Sequence, residues 1–100
     1  MLHIVNKSPF ERNNLATCLR LAKAGSDILL IEDAVYGILS NASQSPLLDE
    51  HLTHFNIYAL QPDLAARGIT EESLIPEVSL IDYDGFVELT ENNTNIQSWL

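Results

Sequence analysis

The stretch D-I-L-L-I, residues 27–31, constrains this chain more than any other. It is a continuous apolar run of strand length with no outward polar positions, the pattern of a strand covered on both faces. Such a strand belongs inside a parallel sheet, and parallel neighbours require crossover connections. L-H-I-V (2–5), N-I-Y-A-L (56–60) and V-S-L-I (78–81) read as further strands, and I-Q-S-W-L (96–100) as a short last strand or a docked end. The intervening segments supply the crossovers. Residues 11–24 read as a helix, with Leu15, Cys18, Leu19 and Ala22 on one buried face and Gly25 ending it. Asp33 stands as a helix N-cap before A-V-Y-G-I-L. N-A-S-Q-S-P (41–46) reads as a loop, and L-L-D-E-H-L as a short helical turn. Pro62 opens a short helix, D-L-A-A-R, closed by Gly68. Asp82 leads into Y-D-G-F-V-E-L-T. Alternating strands and helices predict one α/β domain over residues 1–100, a mainly parallel sheet with helices on both faces.

Charge narrows the function. The chain carries −9 overall, but residues 1–23 hold Lys7, Arg12, Arg20 and Lys23 against Glu11 alone. Residues 24–100 hold Arg67 against thirteen acidic residues. A carboxylate-rich surface repels phosphate backbones, which argues against direct nucleic-acid binding. The basic segment reads either as a solvated helix face or as a contact for an acidic neighbouring subunit. With 46% hydrophobic residues in so small a domain, apolar surface is left to share with a partner. M-L-H-I-V-N-K-S-P has too short an apolar run for a secretory signal, and no stretch approaches a membrane span. A single cysteine forms no internal disulfide, so the expected compartment is the reducing cytoplasm.

Most chemistries find no residues here. After the first strand stands N-K-S-P-F in place of a glycine-rich phosphate loop, so no nucleotide cofactor is expected. Glu32 and Asp33 suggest the acidic pair of a phosphoacceptor receiver domain. The third strand, however, ends in Leu60-Gln61-Pro62, and no lysine lies beyond Lys23. His51 and His54, with Asp49 and Glu50 nearby, lack a convincing third ligand, so no metal site is assigned. His3 reads as a satisfied, partly buried histidine. No G-x-S-x-G elbow is present. Cys18 remains, without a confident catalytic assignment. It lies about two turns into its helix, where the dipole has faded. Its neighbours Asn14, Leu15, Leu21 and Ala22 carry no cation. Local physics reads it as a core plug and leaves a reactive thiol as the alternative.

Four segments in order carry a resemblance: N-K-S-P-F-E-R-N, L-L-I-E-D-A-V, Y-A-L-Q-P-D-L-A-A-R-G and L-I-D-Y-D-G-F-V-E-L-T, followed by a terminal Trp-Leu. Together they resemble the TusB/DsrH family of sulfur-relay subunits, closer to its DsrH-like members. The resemblance implies a flavodoxin-like three-layer sandwich with about five strands. It also implies partners: TusC/DsrF-like and TusD/DsrE-like paralogues in a heterohexamer that hands persulfide sulfur to a TusE/DsrC-like carrier. The destination is wobble uridine of tRNA or dissimilatory sulfur oxidation. The principal cysteine of such complexes belongs to the TusD/DsrE-type subunit, and the matching region here, Leu60-Gln61, has no thiol. The chain is therefore expected to be a non-principal, mainly structural subunit of a sulfurtransferase complex. DsrH-like members carry a cysteine in the first helix, which keeps Cys18 as a candidate sulfur carrier, with Lys7, Arg12 or a neighbouring subunit lowering its pKa. A stand-alone flavodoxin-like interaction module is the remaining alternative.

Overall fold

A computed structural model describes residues 1–8, 13–39 and 54–99. Five strands, β1 (Leu2–Val5), β2 (Asp27–Leu30), β3 (Asn56–Leu60), β4 (Ser79–Ile81) and β5 (Ile96–Trp99), form one sheet. Every pairing is parallel and the order is β4-β3-β2-β1-β5. The D-I-L-L-I run supplies β2, paired on both edges by β1 and β3. Its side chains divide between two cores. Ile28 and Leu30 join Val5, Leu15, Cys18, Val35 and Leu64 on one face. Leu29 joins Leu2 and Leu89 on the other. The tail is a true strand, in register with β1 from Leu2↔Ile96 to Val5↔Trp99.

Strand order explains the unequal faces. Steps β1→β2→β3→β4 run in one direction, so right-handed crossovers put α1 (Asn14–Leu21), a 3-10 helix (Glu32–Ile38) and α2 (Gln61–Ala66) on one side. The step from β4 back to β5 reverses direction and puts α3 (Tyr83–Asn92), alone among the described helices, on the other. The result is the expected three-layer α/β sandwich.

Local chemistry sets each crossover. In α1 the buried face is Leu15, Cys18 and Leu19, as the spacing predicts, but the helix stops at Leu21. Ala22 is extended and Gly25, at φ +89°, turns the chain into β2. Residues 11 and 12 of the expected helix lie outside the described residues. The segment after β2 differs from expectation. It is a 3-10 helix with Ile31 in the N-cap position and no side-chain cap, so Asp33 is not the cap. Its buried residues pair three apart, Ala34 with Gly37 and Val35 with Ile38, the period of a 3-10 turn. The expected loop at 41–46, the turn after it and His51 lie outside the described residues. α2 carries Pro62 in its first turn, where a missing N–H costs nothing. It closes on Gly68 at φ +68°, with Gly68 N–H donating to Ala65 O and Ile69 N–H to Leu64 O. These two bonds satisfy carbonyls the helix end leaves open. Asp82 caps α3, its Oδ1 accepting from Gly85 N–H at 2.9 Å. Gly85 also permits close helix–strand packing, because a Cβ there would stand 2.8 Å from Ile81 Cβ.

Candidate functional site at the carboxyl edge of the sheet

In open α/β sheets the crevice beyond the strands' carboxyl ends, where crossovers change sides, is the usual place for function. Here that edge gathers residues from three of the four segments that carry the resemblance. Asn6 follows β1, Glu32 and Asp33 follow β2, and Asp63 and Arg67 lie on or just after α2. Glu32 adopts φ +50°, a left-handed conformation that costs a residue with a side chain about 1–2 kcal/mol. Its N–H donates to Asp63 Oδ2 at 2.6 Å, a short charge-assisted bond that holds the turn. Asn6 Nδ2 reaches Glu32 Oε2 at 3.5 Å. Arg67 Nε and Nη2 both donate to Asp33 Oδ1, at 3.1 and 2.9 Å, while Nη1 donates to Asp63 O at 3.0 Å. One guanidinium thus ties the chain after β2 to the helix after β3.

Among the described residues this cluster holds the carboxylates of Glu32, Asp33 and Asp63 with one guanidinium and contains no nucleophile, so its chemistry is recognition by charge and shape. Beside it, at the β3/β4 switch, a cavity of about 800 Å³ is bordered by Gln61, Glu71, Glu72 and the apolar Leu74, Ile75 and Leu80. Its mouth is acidic and its wall is apolar. Leu60 is buried and Gln61 exposed at the start of α2, so no thiol stands at the end of β3.

The other predicted residues lie elsewhere. Cys18 is fully buried in the α1 face core, and burial pushes its thiol up to about 12. The thiol is therefore protonated at neutral pH in this conformation, the opposite of what a nucleophile needs. Lys7 and Arg20 are exposed, and Arg12 lies outside the described residues. His54 sits in the turn before β3, its carbonyl accepting from Gly25 N–H. Among the described residues no group of three or more His, Cys, Asp or Glu could hold a metal. Also among them, no helix is long and apolar enough to cross a membrane. Among the described residues His3 is satisfied at one nitrogen only: Nδ1 accepts from Trp99 Nε1 at 3.1 Å, and Nε2 is buried with no partner there. The sequence reading singled out Glu32 and Asp33 but missed their joining to Asp63 and Arg67. The signal was available, since each resembling segment continues past a strand's carboxyl end.

A family model described as DsrH like protein matches residues 7–96. Over 99 residues the chain is 38% identical to Protein TusB of Serratia proteamaculans (strain 568), covering 99% of this chain and all of that protein. It is 33% identical to Protein TusB of Escherichia coli (strain K12), with the same coverage. Two solved structures share the fold. The ychN protein of E. coli superposes with a TM-score of 0.81 at 20% identity, covering 97% of both chains. MTH1491 of Methanobacterium thermoautotrophicum superposes at 0.76 and 14% identity, covering 97% of this chain and 95% of that one. A family match along nearly the whole sequence, with full-length TusB relatives above 30% identity, shows that this chain belongs to the DsrH-like family.

Proposed function

We propose that this chain is the structural, thiol-poor subunit of a cytoplasmic persulfide relay. In this reading it assembles with TusC/DsrF-like and TusD/DsrE-like paralogues into a heterohexamer that delivers sulfur to a TusE/DsrC-like carrier. Membership of the DsrH-like family and likeness to TusB proteins support a sulfur-relay subunit in the general sense. The observation that carries the finer reading is the end of β3. Where a principal relay subunit is expected to hold its cysteine, this chain has Leu60-Gln61, and its one thiol is sealed in a core. Apolar side chains left outside both cores, Tyr83 and Val87 one turn apart on α3, supply surface for neighbouring subunits.

Co-expression with the two paralogous subunits followed by intact mass spectrometry tests this. After incubation with a persulfide donor, a reducible adduct of about +32 Da, one sulfane sulfur taken by a thiolate as the donor's thiol leaves, is expected on a partner and not on this chain. A labile adduct here that vanishes in Cys18→Ala makes Cys18 a carrier instead. A chain that stays monomeric beside both paralogues removes the assembly and leaves a stand-alone module.

A further inference from the structure

On the α1 side of the sheet a second groove, of about 450 Å³, runs between the end of α1 and edge strand β5. That volume is within the range of small-ligand sites. Leu21, Ala22 and Trp99 give it an apolar wall, and His3 lies within it. Among the described residues no acidic side chain borders this groove, and its positive groups are the Lys23 side chain and the Met1 amino terminus.

His3 supplies the specific feature. It is 5% exposed, and the Trp99 indole N–H donates to its Nδ1. In the neutral ring the proton must then sit on Nε2, making that atom a donor. Nε2 is buried with no acceptor among the described residues. An unmet buried donor is costly, and an acceptor brought to it recovers that cost. Burial also holds the imidazole pKa below its usual value, which keeps the ring a neutral donor.

We propose that this groove binds a small monocarboxylate with an apolar body. One carboxylate oxygen accepts from His3 Nε2–H, the Lys23 ammonium compensates the charge, and the body lies along Leu21, Ala22 and the Trp99 ring. Met1 and Lys23 are exposed at the rim, and the acceptor reaches Nε2 by displacing them. The site is separate from the carboxyl-edge cluster and does not depend on the relay reading.

Trp99 is the chain's single tryptophan, so its emission reports on this groove alone. The full chain is titrated with hexanoate, with hexan-1-ol and hexylammonium as controls, following Trp99 emission and the His3 imidazole ¹⁵N resonances. Hexanoate is expected to give a saturable emission change and to move the His3 Nε2 signal. Hexylammonium should bind at least about tenfold more weakly, and Lys23→Gln should weaken hexanoate by roughly three- to tenfold, on the order of 1 kcal/mol. His3→Phe should abolish the preference for hexanoate over hexan-1-ol. If that variant does not fold, the wild-type imidazole signal decides. Equal binding of hexan-1-ol and hexanoate overturns the proposal, as does an emission change that leaves His3 Nε2 unmoved. Loss of binding when the chain is purified within its assembled complex also overturns it, because the groove is then a seat for protein.

Discussion

At the scale of single residues, burial decides what Cys18 can do. The unfolded chain's thiol ionises near its ordinary value of 9.0, whereas the folded one is held up to about 12. Between those values the folded state binds the extra proton. Its stabilising effect is therefore complete below pH 9 and declines as pH rises toward 12, by up to about 1.4 kcal/mol per pH unit. Denaturant midpoints at pH 8 and pH 10 should fall in wild type by more than in Cys18→Ala, and a parallel fall in both contradicts the assignment. Native Cys18 should also resist alkylation until denaturant is added. Sequence spacing placed Cys18 on the buried face of its helix, because period 3.6 is written in Leu15, Cys18 and Leu19. It could not show that Glu32 adopts φ +50°, because that conformation is held by the distant Asp63 carboxylate rather than by its neighbours in the chain.

Elements show a similar division. The first four strands were readable because each is a mainly apolar run bounded by turn residues, and the end of α2 because Gly68 follows Arg67, whereas I-Q-S-W left strand and docked end both open. The 3-10 helix was not, since A-V-Y-G-I fits either helical period and only packing of Val35 and Ile38 beneath the sheet chooses between them. Glycines at element junctions give the sharpest tests. Gly85→Ala gains helix propensity of about 1 kcal/mol but forces its methyl against Ile81. Overpacking of that kind costs about 1–3 kcal/mol, so a net loss of stability is expected in urea melts. Gly68→Ala has open space around it and should lose only the left-handed penalty, about 1 kcal/mol. Asp82→Ala removes the α3 cap and should cost about 1 kcal/mol. A Gly85→Ala protein as stable as wild type would mean that α3 sits farther from β4 than described.

For the molecule as a whole, sheet order divides the described helices unequally between the two faces. Among the described residues α3 is the one helix over Ile4, Ile31 and Tyr58, and it carries Tyr83 and Val87 outward at 62% and 53% exposure. Val87→Glu should leave the isolated chain's melt within about 0.5 kcal/mol of wild type, as surface changes do. Its recovery in a co-purified complex should nonetheless fall several-fold, and unchanged recovery would assign the contact to another surface. Strand order itself was not legible, because nothing local to I-Q-S-W-L says that it returns to lie beside the first strand. That return matters during synthesis. While a ribosome extrudes β1 through β4, the outer edge of β1 has no mate, and the imidazole of His3 waits for an indole 96 residues away. A nascent chain stalled before Ile96 should therefore recruit holdase chaperones that the finished chain no longer attracts.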